Sequence, residues 1–576
     1  MHKHILIAVA WPYVNGDIHV GHLSGYLLPA DMMARYHRLR GNDVLMVSGS
    51  DTHGTPITVE ADKRGVSPSE IVDQYHKNDI ALFKQLGLSY NLYTTTMTET
   101  HKRVTQELFL DLLSNGYIVK GMMKQYYAQQ DDQFLPDRYV EGTCPYCKTE
   151  GQRSDQCENC GRWIEDGELV DPHSKLTGSP VELRDTEHYF LDFEQLTPQL
   201  SKYIAAHEDI WRHWVHSESQ GWLNEGLRKR AITRDMDWAI ELPVEEIQKL
   251  DPDKQLASYE GKKLYVWFEA VIGYLSAPQE WSATTEEHDG IIFSRTQGQS
   301  TDWQQWWHNP DAMHYYFMGQ DNLVFHTLMW PAQLMGSGRG YHLPDQVLVN
   351  KFMNYEGKKF SKSRGWTIDS KAMAEKYGVD PLRFYIASNL PEHKEANFTW
   401  EGFADTINNE LVANLGNLAN RSLTFFATRF ESITRDGFTC DDDVMAALHT
   451  AFDSVASAFE HGNFVRGIEL IMQLSRTGNQ YFEQAAVWRV IKEDKDEAAR
   501  IMLNLLNLLA NISVLIAPVM PDASERLRRM LGLDALAPEV DTDYWGVTIH
   551  NSFSIGAPVE ILFAKLDRDT VLKERV

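Results

Sequence analysis

Cysteine is scarce in this chain, with five residues in 576. Long apolar runs are missing as well. The longest near the N-terminus, Ile5 to Trp11, is far shorter than a bilayer span, and no small-residue cleavage site follows it. No membrane association is therefore expected, and the cytoplasm is the expected compartment. Positive charge is also short: 55 Lys and Arg against 81 Asp and Glu leave a formal net charge of -26. That balance excludes coating a nucleic acid through bulk charge, but not holding one in local basic or aromatic patches. Internal repeats and low-complexity segments are absent. With 43% hydrophobic and 11% aromatic residues, a chain of this length can bury three or four separate cores.

"HILIAV" is an apolar run of strand length ending in turn residues, "HLSGYLLPADMMARYHRLRG" has helical spacing with Gly41 as its stop, and "DVLMVSGSDTHG" is a second buried strand. Strand, helix, strand in this order predicts a right-handed βαβ unit with its ligand site beyond the carboxyl ends of the strands. Residues 118–259 break this grammar and read as an insertion. "KKLYVWFEAVIGYL" and "MHYYFMGQDNLVFHTLMWPA" resume it, so the first domain is expected to be split into 1–117 and 260–345. A linking region spans 346–392. From 393 to 576 long helical patterns such as "AARIMLNLLNLLANISVLIAPVMP" predict an all-helical domain.

Within the insertion, "CPYCKTEGQRSDQCENC" holds Cys144, Cys147, Cys157 and Cys160 as two C-x-x-C pairs. Each pair can place two thiolates on one tetrahedral ion, which predicts one structural zinc with no open position for a substrate. Disulfides are disfavoured in a reducing compartment. Cys440 stands alone and is expected to be a packed thiol.

The scarce cations are concentrated in "GKKFSKSRG", where Lys358, Lys359, Lys362 and Arg364 alternate with Ser361 and Ser363 between two glycines. Mobile ammonium and hydroxyl donors on a flexible backbone suit a polyphosphate. A second phosphate motif, "HVGH", lies at the loop-to-helix junction of the first βαβ unit. There Gly21 permits close approach, the helix N-terminus favours anionic oxygens, and His19 and His22 can donate hydrogen bonds. Together the two motifs can hold the α-phosphate and the leaving pyrophosphate of one ATP.

On these residues the chain resembles the class I aminoacyl-tRNA synthetases, whose signatures look like "HVGH" and "KFSKS". "AWPYVNGDIHVGH", "GSDTHGTPI", "FLPDRYVEGTCPYC", "LYVWFEAVIGY", "MGQDNLVFH", "YGVDPLRFY" and "NLGNLANR", in this order, are similar to the methionyl-tRNA synthetase family. The resemblance implies a split Rossmann-type catalytic domain with a zinc-knuckle insertion and a helical anticodon-binding domain. It also implies ligation of methionine to tRNA(Met) through an adenylate made from ATP and Mg2+. His19, His22, Lys359 and Lys362 would be catalytic, with Gly21, Gly319, Asp321 and Ser361 completing the ATP site. Asp51 would take the substrate ammonium. Ala10, Trp11, Tyr13, Trp267, Val271, Tyr274, Phe325 and His326 would enclose the thioether. Asn417, Arg421 and Trp488 would meet the anticodon. Arg234 is a further phosphate candidate, or else an ion-pair partner of Asp235 or Asp237.

Trp11, Val271 and Phe360 depart from the family's usual residues by apolar exchange. The zinc insert stands where relatives for branched aliphatic substrates carry a large editing domain, and no appended C-terminal module is seen, so a monomer is expected. Two rival readings are an inactive synthetase-like tRNA-binding module and a small-molecule nucleotidylyltransferase. The intact motifs and Asp51 disfavour the first. The zinc insert and helical last third have no purpose in the second.

Overall fold

The computed structural model describes residues 3–130, 133–135, 139–154, 157, 159–160, 164, 167–175, 177–360 and 365–575. Six strands form the central sheet: β1 (His4–Val9), β2 (Asp43–Ser50), β3 (Leu92–Thr95), β4 (Ile292–Phe293), β5 (Met313–Gly319) and β6 (Gln346–Asn350). Their order is β4-β3-β2-β1-β5-β6, parallel throughout except where β4 runs against β3. β2 is buried along its whole length and β1 almost so, as expected of strands covered on both faces. β1 pairs with β2 on one side and with β5 on the other, in register Ile5 to Met313 and Val9 to Phe317. The order reverses at β1, which opens a crevice at the carboxyl ends of β1 and β5. After β1 the chain makes the short helix Val20–His22, a π-helical segment Leu23–Leu27 and the helix Leu28–Leu39. Gly41 then takes a left-handed φ of 70°.

Two proposed boundaries move. The linking region cannot begin at 346, because Gln346–Asn350 is the outer strand of the central sheet. A boundary between 259 and 260 would cut the pairing of Thr233–Asp235 with Lys262–Leu264. Sequence pattern marks where a strand begins but not which sheet it joins, and that choice decides both boundaries.

The insertion is built on a long antiparallel pair, Ile118–Ala128 with Val181–Leu191. A small three-stranded sheet, with Val140–Thr143 between Gln152–Arg153 and Val170–Ser174, accompanies the cysteines. Beyond β6, Met353–Tyr355 pairs with Lys358–Lys359 and Ala396–Phe398. The helical region comprises Asn417–Arg429, Asp442–Glu460, Phe464–Ala485, Lys495–Ile516 and Pro521–Met530. Lys495–Ile516 is long and apolar enough to cross a bilayer, but 89% of its most apolar window is buried against its neighbours. The tail then returns across the molecule: Ser552–Ser554 pairs with Ser432–Thr434, and the Trp545 ring lies edge-on to Tyr36 at 4.7 Å.

One buried cation joins these parts. Arg383, on the linking helix Val379–Ala387, is 2% exposed. Its Nη2 donates to Asp31 Oδ2 at 2.6 Å and to the Pro518 carbonyl at 3.0 Å. Nε donates to the Val519 carbonyl at 2.8 Å, and Nη1 to that of Leu86 at 3.2 Å. Asp31 also accepts from Arg35 at 2.9 Å and from the Ser89 N–H and hydroxyl. Burial alone would push the Asp31 carboxyl up. The guanidinium groups of Arg35 and Arg383 outweigh it and hold the carboxyl well below its usual range. Removing one partner of such a pair leaves a buried charge uncompensated. Arg383→Ala is therefore expected to lower unfolding free energy by about 3–5 kcal/mol, measured by denaturant titration against the parent.

Candidate active site

At the carboxyl ends of β1 and β5 lies a cavity of about 450 Å³. It is lined by Ala10, Trp11, Tyr13, His19, Gly21, His22, Asp51, Trp267, Val271, Tyr274, Gly319, Asp321, Phe325, His326 and Lys359. Every described residue expected in the catalytic, ATP and methionine sets is among them. Ser361 and Lys362 lie outside the described residues.

His19 caps the short helix Val20–His22: its Nδ1 accepts from the Gly21 N–H at 3.0 Å, while the His19 N–H donates to His22 Nδ1 at 3.1 Å. With both Nδ1 atoms accepting, the proton of each neutral ring sits on Nε2. A Cβ at Gly21 would meet the His19 ring at 2.8 Å, so glycine is what lets the cap form. The basic loop reaches the same place. Phe360 stacks on the His19 ring, centroids 4.8 Å apart and planes 9° from parallel. Lys359 is exposed, on a hairpin turned by Glu356 and Gly357, both at positive φ. At the end of β5, a Cβ on Gly319 would lie 2.7 Å from Asp321 Oδ1, so this close carboxylate requires a glycine.

Asp51 follows β2 and is 3% exposed, and its Oδ1 is buried without a hydrogen-bond partner among the described residues. Burial, and then the charge of Glu269, push its carboxyl above the ordinary range. Burying an oxygen without a partner costs free energy that a bound donor or cation would offset. Glu269 itself is fully buried and gripped at both oxygens, by His53 Nδ1 at 2.9 Å and His101 Nε2 at 2.7 Å. Burial would push it up, and the two histidines outweigh that effect.

The aromatic wall has two parts. Trp267 stacks on Phe325 at 4.4 Å, with Tyr13 edge-on to Trp267 at 6.3 Å. His326 Nδ1–H donates to the Asn322 carbonyl at 2.8 Å, so Nε2 accepts the Tyr274 hydroxyl at 2.7 Å. Burial holds His326 down at about 4, so its ring is neutral near pH 7. The Trp11 ring fills the gap between β2 and the helix Gly273–Ala283, where added Cβ atoms on Gly49 and Gly273 would lie 2.1 and 2.5 Å from it.

The cavity also contains residues that sequence motifs did not single out, including Tyr26, Asn322 and Lys351. The His53–Glu269–His101 bridge was not anticipated either, because its members lie far apart in the chain. Arg234 is absent from the cavity. It donates to the Thr233 carbonyl at 2.9 Å and lies over the Tyr265 ring, while Asp235 pairs with Lys262 and His188. Arg234 lies outside the cavity expected to take the phosphates, and among the described residues it makes no ion pair with Asp235 or Asp237.

In the helical region, Arg421 lies over Phe482 at 4.3 Å, and Phe482 stacks with the half-buried Trp488 at 5.5 Å. Asn417 donates to Asn479 Oδ1 at 3.0 Å. Arg421 also pairs with Glu483 at 2.6 Å. The three expected residues thus lie around one patch, with Trp488 half-buried against the core.

The four clustered cysteines are thiols whose Sγ atoms lie within 4.8 Å of one another. The closest approaches, 3.5 Å for Cys147 to Cys157 and 3.9 Å for Cys144 to Cys160, match the edges of about 3.8 Å of a tetrahedron with metal–sulfur bonds of about 2.3 Å. The set could hold a metal ion. Cys440 is buried, and burial pushes its thiol up to about 12.

Residues 5–423 match the family described as tRNA synthetases class I (M), and residues 437–574 match the anticodon binding domain of methionyl tRNA ligase. The sheet, the paired motifs and these matches define a class I aminoacyl-tRNA synthetase. A methionine–tRNA ligase of Roseiflexus sp. (strain RS-1) is 42% identical over 94% of this chain and 89% of its own length. One from Dehalococcoides mccartyi (strain ATCC BAA-2266 / KCTC 15142 / 195) is 42% identical over 100% of this chain and 99% of its own. The chain belongs to the methionyl-tRNA synthetase family. Its fold is shared with Mycobacterium tuberculosis methionyl-tRNA synthetase in complex with methionyl-adenylate, at a TM-score of 0.75 and 22% identity over 98% of this chain and 100% of that one.

The seat of Trp11 gives a direct test. Gly273→Ala forces the indole to move, and overpacking of this kind costs about 1–3 kcal/mol. A lower denaturation midpoint than in the parent is the expected result.

Proposed function

We propose that the cavity is the site where methionine and ATP, taken as its magnesium complex, form methionyl-adenylate and pyrophosphate before the methionyl group passes to tRNA. As a member of its family the chain is a methionine–tRNA ligase, and the residue roles below are our reading of its site. One observation carries it: Asp51, with an unpartnered buried oxygen, shares a cavity with the His19–His22 pair and Lys359.

In this reading Asp51 takes the methionine ammonium, and Trp267, Phe325 and Tyr13 enclose the thioether, a polarizable group suited to ring faces. Ala10, Trp11 and Val271 close the wall. The Tyr274–His326 hydrogen bond fixes a neutral imidazole there, which spares an apolar side chain a buried charge. The methionine carboxylate attacks the α-phosphorus in line, and pyrophosphate leaves. His19 and His22 offer Nε2–H to the α-phosphate oxygens as charge develops, and Lys359 with Lys362 and Ser361 takes the pyrophosphate. Asp321 accepts from the ribose above Gly319. No protein group is covalently modified, so catalysis is positioning and charge stabilisation. The 2'-hydroxyl of the tRNA's terminal adenosine then attacks the adenylate carbonyl, and AMP leaves. Asn417, Arg421 and Trp488 meet the anticodon, with Trp488 offering a ring to a splayed base.

A double comparison tests the assignment. His22→Ala should slow methionine-dependent pyrophosphate–ATP exchange by about 10²- to 10³-fold, the cost of losing one preorganised donor. Trp488→Ala should leave exchange intact and reduce tRNA charging by roughly 5- to 150-fold, the equivalent of a lost stacking ring. Unchanged exchange in the first variant sinks the histidine role. Lost exchange and stability in the second returns Trp488 to packing.

We further propose that Cys144, Cys147, Cys157 and Cys160 hold one structural zinc. With four sulfur ligands the ion has no open position, so it supplies fold rather than chemistry. Chelation or Cys157→Ser should expose the insertion to limited proteolysis and lower charging, while metal analysis of the fresh protein should return zinc. A protein free of zinc yet fully active would refute this.

A further inference from the structure

Lys351 follows β6 directly, and its N–H donates to the Pro391 carbonyl at 2.8 Å. It lines the same cavity as His19, His22 and Lys359. Its Nζ stands 4.2 Å from the centroid of the Trp214 ring, an indole itself held by donation to the Glu392 carbonyl at 3.2 Å. Among the described residues Lys351 makes no ion pair. A ring face steadies an ammonium without accepting its N–H bonds in the way a carboxylate would. The charge therefore remains available to an anion. The next residue, Phe352, also lines the cavity, and Lys359 Nζ lies 5.9 Å from its ring centroid. One cation thus stands just past the central sheet and another on the loop hairpin, and both line the cavity.

We propose that Lys351 is a stationary phosphate-binding residue for ATP, holding the triphosphate from the end of β6 while the loop lysines act on the departing pyrophosphate. The inference rests on the cavity being the adenylation site. A cation fixed to the sheet meets the triphosphate equally in the ground and transition states, and such uniform binding changes KM without changing kcat. Loop lysines that tighten as pyrophosphate leaves change kcat instead.

The test is methionine-dependent pyrophosphate–ATP exchange with the full chain. Lys351→Met should raise KM for ATP by about 10- to 100-fold, the worth of one charged hydrogen bond. At saturating ATP, kcat should fall by less than about two-fold, and KM for methionine should hold. Lys351→Arg should recover most of the loss. Adenosine, which lacks phosphates, should inhibit parent and Met variant equally. The proposal is overturned if KM for ATP is unchanged, if kcat falls with KM constant, or if adenosine inhibition weakens as much as ATP binding. A fall in melting temperature of the Met variant that the Arg variant shares, with KM for ATP equally raised in both, overturns it too. If His22→Ala leaves exchange untouched, it is the adenylation reading that fails, whatever Lys351 does.

Discussion

A guanidinium sealed from water must find its hydrogen bonds inside the protein, and Arg383 finds them in three regions at once. Its partners come from the first catalytic segment (Asp31 and Leu86) and from the helical region (Pro518 and Val519), while Arg383 itself belongs to the linking helix. None of these can shift without stranding a buried charge or carbonyl. Arg212 repeats the arrangement on the other side, donating to the Val349 carbonyl, Asn350 Oδ1 and the Gly462 carbonyl. Two buried cations thus set how the cavity and the Arg421–Trp488 patch stand relative to each other.

The cavity inherits its geometry from the same frame. Asn350, held by Arg212, donates to the Ser24 carbonyl at 2.9 Å, just beyond the histidine motif. Asp51 stands at the end of β2 with Glu269 as a like-charged neighbour, and His53 and His101 occupy both oxygens of that neighbour. A buried carboxylate with both oxygens bonded can persist beside another that has one oxygen without a partner among the described residues.

Local signals were legible in the sequence wherever chemistry is confined to a short stretch. Cys144 to Cys160 form one cluster because two C-x-x-C turns face each other, and His19, Gly21 and His22 make one cap because they are nearly adjacent. The resemblance to a known family carried Asp51, Trp267 and His326 to one cavity, which spacing alone could not do. What stayed hidden depends on contacts between distant residues. Gln346–Asn350 joins the catalytic sheet by pairing with Tyr315–Gly319, a choice its own pattern does not reveal. Glu269 meets His53 and His101 across long intervals of chain. Arg234 stands outside the cavity, held by the Thr233 carbonyl and the Tyr265 ring.

The flat contact between Phe360 and His19 has a consequence for solution conditions. Phe360, next to Lys359, meets His19 face to face, and Tyr355 stacks with Phe360 in turn. Dissolved salt shortens the reach of exposed ammonium groups to a few ångströms but has little purchase on two rings in contact. Raising ionic strength would therefore weaken the pull of Lys359 on an anion while leaving the Phe360–His19 contact as it was.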